Sequence, residues 1–246
     1  MGQMEQVTAR TSSVGPVVAR MRAFRSLWPP ADGVAVFNRV YLAVTEEIDR
    51  RIGAGAFGDR RAAATLDVLF AERYLTAVDT ACAGGVPPAC WRPLFQARRH
   101  PGLRPLQFAL AGINAHIGHD LALAVVDTCR TLGCEPPDLE KDFDQVGDVL
   151  AVLEERIREE LMPGPDLLEI ADPLTHLLGC WSLERARDGA WLAARTLWQL
   201  SRLRRLPELA EEFTERLDRS VGLVGRMLLT PLAAQSSGSS TGAISS

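Results

Sequence analysis

The chain has 246 residues, of which 47% are hydrophobic and 24% charged, with a formal net charge of −4 at neutral pH. These are globular values in a chain long enough to bury a core without disulfide staples, and they exclude a fibrous or wholly disordered polypeptide. Arg is interspersed with Asp and Glu, Lys141 is the only lysine, and there is no basic stripe, so nucleic acid is not an expected partner.

Residues 1–30 show no clear period before Val17. Trp28-Pro29-Pro30 then forces an extended or turning backbone, because Pro fixes φ and biases its predecessor away from helix. This stretch reads as a loosely packed arm. From Val34 to Ile52 the apolar positions Val36, Phe37, Val40, Tyr41, Val44 and Ile48 recur at three and four, an amphipathic helix stopped by Gly53 and Gly55. A second helix runs from about Arg60 to Ala83 with Leu66, Leu69, Phe70, Tyr74, Ala77 and Val78 inward, and Gly84-Gly85 ends it. A shorter helix follows Pro87-Pro88 over Ala89–Gln96, and a turn at His100–Pro105 leads into the longest apolar stretch.

That stretch, Leu106–Leu132, is apolar on nearly every face, and such a helix belongs at the centre of a bundle. Asp142–Leu161 is amphipathic and is broken by Pro163-Gly164-Pro165. Two further helices are expected over Leu174–Leu203, with Trp181, Trp191 and Trp198, and over Glu208–Leu229 after Pro207. Strand-like alternation is almost absent. The expectation is an all-α fold, an irregular antiparallel bundle of about seven helices without a sheet, forming one domain over 1–234. Residues 235–246 are mostly Ser, Gly, Thr and Ala, a Ser/Gly-rich composition expected to stay disordered.

Cys82, Cys90, Cys129, Cys134 and Cys180 are odd in number and form no CxxC pair, which supports neither a disulfide framework nor a zinc knuckle. Free thiols in a reducing cytoplasm are the expectation. No apolar run approaching a bilayer's thickness and no signal-like N-terminus is evident, so no membrane span is expected. The sequence does not set the oligomeric state.

The most informative segment is Asn114-Ala115-His116-Ile117-Gly118-His119-Asp120-Leu121, which sets two histidines, a carboxylate and an amide inside the most apolar helix. On α-helical geometry His116, His119 and Asp120 project from one face. Three uses are open for them: ligands to one divalent metal (Zn, Fe or Mn), a metal-free acid–base pair of His116 and Asp120, or a purely structural pair. As metal ligands they would need help from Asp67, Glu72, Asp79, Asp142, Asp144 or Asp148. Arg73 beside Phe70 and Tyr74 would pair with Asp67, Asp120 or Asp142, or receive an anionic ligand. Tyr41 and Tyr74, the only tyrosines, and Asn38 and Asn114, the only asparagines, are candidate polar groups for a central pocket, each with a plain core role as the alternative. Arg187 and Trp191 read as a packed pair, and His100 and His176 as surface residues. No GxSxG, P-loop, GxGxxG, HExxH or paired ExxH motif occurs.

Phe37-Asn38-Arg39-Val40-Tyr41 with Thr45, Leu69-Phe70-Ala71-Glu72-Arg73-Tyr74, and Gly112-Ile113-Asn114-Ala115-His116-Ile117 ending in Asp120-Leu121 together resemble the DUF5995 family, helical bacterial proteins of unknown function. The resemblance spans roughly residues 17–230. It implies that Asn114-Ala115-His116 and Asp120 are the family's own pattern, with a non-ligating polar residue at the position of His119, and it brings no activity. A fainter similarity is to helical zinc phospholipase C and P1-type nucleases, whose helices carry a His, three residues and an Asp. Their further downstream histidines have no counterpart here.

The expected function is that of an enzyme acting on a small molecule in a central pocket. His116 and Asp120 would be acid–base pair or metal ligands, with Tyr74 as a further catalytic group. Arg73, Tyr41, Asn38 and Asn114 would bind substrate, for hydrolysis, cyclisation or isomerisation. The alternative is a non-catalytic helical module binding a lipid or a protein, in which His116 and Asp120 only fix the packing.

Overall fold

The computed structural model describes residues 13–161, 182–203 and 205–231, and the side chains among them other than those of residues 148 and 150–161. All regular structure among the described residues is helical: α1 Gly15–Leu27, α2 Gly33–Gly53, α3 Arg60–Cys82, α4 Arg92–Ala97, α5 Pro105–Leu132, α6 Pro136–Leu161, α7 Leu183–Ser201 and α8 Pro207–Leu228. The fold is all-α, as the patterning predicts, with one helix more than the seven counted from it.

The additional helix is α1, and it corrects the reading of residues 1–30 as a loose arm where that stretch is described. Pro16 is compatible with a helix start, because the missing N–H of a first-turn residue has no intrahelical partner to lose. Val17, Val18, Met21 and Phe24 then bury one face. Arg20 adds two 2.7 Å bonds to the Asp79 carboxylate. Helix α6 begins six positions before the expected Asp142, because Pro136 opens it and the Asp138 carboxylate accepts the Glu135 N–H at 2.8 Å. Its polar first turn carries too little apolar pattern to announce a helix. Helix α7 starts at Leu183, where the Ser182 side chain accepts the Arg185 N–H. The expected earlier turn at 174–181, with Trp181, His176 and Cys180, lies outside the described residues, as does the tail at 235–246.

Helix α5 is the axis of the bundle: α2, α3, α4, α6, α7 and α8 all pack on it. Its 28 residues meet the length and composition of a membrane-crossing helix, where the sequence reading found no such run, yet 83% of its most apolar window is buried inside the protein. That is the condition of a core helix. Two apolar clusters divide along it. One gathers α1–α4 around Leu106–Ala115, the other gathers α6 and α7 around Ile117–Cys129, and Phe70, Ile113 and Leu217 pack against both. The polar segment of α5 sits at their seam.

Close approach of α2 and α5 depends on Gly112, where a Cβ would overlap the ring of the buried Phe37. Gly189 in α7 faces nothing within 4 Å. Gly112→Ala is expected to destabilise the protein by about 1–3 kcal/mol in denaturant unfolding, from overpacking. Gly189→Ala should be neutral or stabilising by up to about 1 kcal/mol through helix propensity. Equal effects at the two sites would refute the close-packing role.

Candidate functional site

Within α5 the backbone leaves α-helical winding for one turn, His116–Asp120, which is a π turn. The Leu121 N–H reaches the His116 carbonyl, a bond from i+5 to i, so one extra residue is accommodated without ending the helix. Gly118 lies in this turn, and a Cβ there would come within 3.2 Å of Val221 on α8. The turn carries His116, His119 and Asp120, all buried.

Asp120 is the hub. Its Oδ2 accepts from Trp91 Nε1 at 2.9 Å and lies 3.0 Å from His116 Nδ1, while its Oδ1 lies 2.8 Å from His119 Nδ1. Burial by itself would raise this carboxyl. The hydrogen bonds from His116 and His119 outweigh it and bring the group down to about 2. An ionised carboxylate can only accept, so each imidazole presents an Nδ1–H to it, and a neutral ring then carries its lone pair on Nε2. For His116 burial pushes the pKa below the ordinary value, against the pull of Asp120, and favours that neutral form.

Aromatic rings surround His116. Phe70 stacks on it at 3.6 Å between centroids and 5° between planes, Tyr41 meets it edge-on at 4.3 Å, and Trp91, Phe37 and Tyr74 lie 5.8, 6.0 and 6.2 Å away. Among the described residues His116 Nε2, the Tyr41 hydroxyl and Asp67 Oδ2 are buried without a hydrogen-bond partner. Burial drives the Tyr41 phenol well up, the charge of Asp67 adds to this, and the Thr45 hydroxyl works the other way. Thr45 itself donates to the Tyr41 carbonyl at 3.0 Å. Burial, then the charge of Asp49, pushes Asp67 up to about 8.

The other expected site residues are engaged elsewhere. The Tyr74 hydroxyl donates to Asn38 Oδ1 at 3.3 Å, and Asn38 Nδ2 donates to the Met21 carbonyl at 2.9 Å, tying α1, α2 and α3 together. Asn114 Nδ2 donates to the Val221 carbonyl of α8 at 3.0 Å. Arg73 pairs with Asp127, one of α5's own carboxylates, and not with Asp67, Asp120 or Asp142. Asp142 caps the start of α3 through the Gly58 and Asp59 N–H groups, Asp79 holds Arg20, and Glu72 and Asp144 are exposed. The Asp148 side chain lies outside the described set.

Convergence of metal-type ligands differs from the expected His116, His119 and Asp120. Cys90, His119 and Asp120 offer ligand atoms all within 4.8 Å of one another, and Asp218 Oδ1 is 4.0 Å from His119 Nε2. Sulfur, imidazole and carboxylate are donors that suit zinc or iron. Cys90 is thereby the group that could join such a site in place of His116, whose Nδ1 is spent on Asp120. Burial, and secondly the charge of Asp120, raises the Cys90 thiol, and Asp218 accepts the Ala89 and Cys90 N–H groups at 2.8 Å each. A cavity of about 330 Å³ lies between the start of α6 and α7, lined among others by Glu135, Pro136, Leu192 and Trp198, and no residue of the π turn lines it.

Sequence reasoning found the histidines and Asp120 but missed Trp91 and Asp218 as their partners. Only the position of Trp91 after Pro87-Pro88, a turn that brings it back towards α5, hints at its role. A family of unknown function, DUF5995, matches the chain over residues 14–231. No curated protein and no solved structure matches it.

Two outcomes follow from this electrostatic layout. Asp120→Asn sets an amide N–H against an imidazole N–H and is expected to cost about 1–3 kcal/mol in equilibrium unfolding, the penalty of a buried donor left without its acceptor. A loss below about 1 kcal/mol would refute the hub. The second is a pH effect. The lowered Asp120 stabilises the fold above the ordinary carboxyl value of about 3.9, and this is lost as pH falls towards 2. The raised Asp67 has the opposite sign: its contribution is complete below about pH 3.9 and is lost as pH climbs to about 8. Asp67→Asn should therefore gain on the wild type between pH 4 and pH 8, by roughly 10 °C in melting temperature, from about 5 kcal/mol for a shift of this size. A pH-independent difference would contradict the assignment.

Proposed function

We propose that this chain, which belongs to the DUF5995 family, is an enzyme acting on a small molecule, with His116 Nε2 as its general base and Asp120 as the group that fixes the ring and its tautomer. The observation that carries this reading is the unpartnered, fully buried Nε2 on the far side of a ring whose Nδ1 is anchored to an ionised carboxylate. A histidine kept only for structure would have both nitrogens satisfied, as Asn38 and Asn114 have their amides engaged. An orphaned buried acceptor costs about 1–3 kcal/mol, and an apolar ring would fill the same aromatic enclosure without that penalty. Keeping a histidine there calls for a use of its lone pair.

The enclosure favours proton transfer, as in an isomerisation or a cyclisation, over hydrolysis. Phe70, Tyr41, Trp91, Phe37 and Tyr74 surround the base with ring faces and edges, a setting that restricts water and strengthens electrostatic interactions with a bound substrate. A neutral imidazole is also ready to accept a proton without first losing one. Tyr41 is the second polar group retained from the sequence reading, whereas Arg73, Tyr74, Asn38 and Asn114 support the walls through their structural bonds.

His116 is only 2% exposed, so the reading requires the enclosure to open while the protein stays folded. Diethyl pyrocarbonate, a small reagent for unprotonated imidazole, tests this, with peptide mass spectrometry to separate the protein's 4 histidines. His116 is expected to react much faster than the protein unfolds. Because its pKa is lowered, the reaction should persist below pH 6, where an ordinary imidazole of pKa about 6.5 is mostly protonated. Modification of His116 only at the rate of global unfolding would sink the catalytic reading and leave a structural His–Asp pair within a non-catalytic module.

A further inference from the structure

The corner formed by α2, α3 and the π turn carries more unmatched polarity than a general base alone requires. Tyr41 comes from α2, Asp67 from α3 and His116 from the π turn, and each buries a polar atom without a hydrogen-bond partner; the Thr45 hydroxyl near the Tyr41 phenol is itself committed to the Tyr41 carbonyl. Tyr41 adjoins both of the others. Tyr41 and His116 are 4.3 Å apart between ring centroids, Tyr41 and Phe70 are 5.9 Å apart, and Phe70 stacks on His116 one helical turn beyond Asp67. Asp67 is close enough to Tyr41 for its charge to be the second cause of the raised phenol. Elsewhere in the bundle, core polar groups such as Gln107, Asn114 and Thr128 find backbone carbonyls, and other unpartnered buried atoms, such as Gln145 Oε1 on α6 and Trp198 Nε1 on α7, come from elements outside this corner. Three orphans converging on one aromatic corner mark a ligand site, because buried polar groups are ordinarily paired.

We propose that this corner binds an uncharged, planar molecule with an amide- or enol-type edge, which accepts a hydrogen bond from the Tyr41 hydroxyl and the Asp67 carboxyl and donates one to His116 Nε2. The proposal rests on the general-base reading in one respect, that His116 presents Nε2 as an acceptor, and it adds the substrate class and the opposing donors.

Charge selects against ions. Asp67, pushed up to about 8, is mainly protonated at neutral pH, and the Tyr41 phenol is held neutral. The charged groups that act on the corner are the exposed Asp49 on α2, Arg73 on α3 and Asp120 in the π turn. Arg73 is committed to Asp127, and Asp120 already accepts from Trp91, His116 and His119. A carboxylate or phosphate would therefore enter an aromatic box beside two negative groups with no uncommitted cation among these neighbours. A neutral amide meets a donor, a carboxylic acid and an acceptor, with Phe70 and Tyr41 against its faces.

Benzamide and benzoate are the probes, of one shape but opposite in charge and donor capacity. Binding is read in the full chain with ¹⁵N-labelled histidine, where the His116 Nε2 resonance reports a new donor. Benzamide is expected to move the Nε2 signal and to slow diethyl pyrocarbonate modification of His116, and benzoate to bind at least tenfold more weakly. Tyr41→Phe should weaken benzamide at least tenfold, while Asp67→Asn, which keeps both a donor and an acceptor, should change it less than threefold. Circular dichroism and an unchanged His119 resonance verify that both variants keep the fold. No shift with benzamide, equal binding of benzoate, or full binding by Tyr41→Phe would each overturn the proposal. If benzamide fails while His116 still reacts in the native state, the ligand class is wrong and the base reading stands. If both fail, the corner is a closed interior with a structural role.

Discussion

The organisation of this bundle turns on one carboxylate. Asp120 is buried on the central helix and takes hydrogen bonds from a tryptophan beside α4 and from two imidazoles of its own turn. Leaving a carboxylate in an apolar core is unfavourable by several kcal/mol unless its oxygens are occupied. The three N–H donors meet that requirement, and their arrangement fixes much else. Trp91 must return to α5, which sets the turn ahead of α4. Asp218 on α8 holds the Ala89 and Cys90 N–H groups of that same turn. The hub therefore clamps the middle of α5 to elements on either side of it, where the two apolar clusters meet.

The π turn is part of the same constraint. His116 and Asp120 lie four residues apart, a spacing that brings side chains together on an α-helix as well, so the pair was legible in the sequence although the backbone beneath it was not. Nothing in His116-Ile117-Gly118-His119-Asp120 announces an i+5 bond. The widened turn follows from tertiary demands: His116 and His119 address different oxygens of Asp120, and Gly118 leaves room for Val221 of α8. Residues one turn apart are visible to periodicity. Trp91, 29 positions from Asp120, is not, because no local pattern encodes which distant donor will reach a carboxylate.

The same division runs through the fold. Apolar periodicity was enough for α2, α3 and α8, and the unbroken apolarity of Leu106–Leu132 was enough to place α5 at the centre. It failed at α1, where the period is unclear before Val17 and Trp28-Pro29-Pro30 reads as a break although Pro29 and Pro30 only follow the helix and Pro16 sits in its first turn, and at the polar first turn of α6. Among candidate site residues, identity was easier to read than commitment. Asn38, Tyr74, Asn114 and Arg73 stand out in the sequence as polar groups on inward or half-buried positions, but their partners come from other helices, and no local pattern names those partners.

Once the satisfied groups are set aside, what is left has a direction. Asp120 faces one side of the His116 ring and spends its charge on Nδ1, so the ring's reactivity can be expressed only through Nε2, on the side of Tyr41, Phe70 and Asp67. Burial acts on the three orphaned groups in a consistent sense: it lowers the imidazole and raises the phenol and the carboxyl, and each is thereby biased to its neutral form. An ionic network would be screened and rearranged by water, whereas neutral donors and acceptors in an aromatic enclosure keep their orientation and discriminate through unmatched hydrogen bonds. The ionised hub therefore separates the two tasks. Charge on one face of the imidazole maintains structure and tautomer, and under the proposed function recognition on the opposite face depends on hydrogen-bond complementarity.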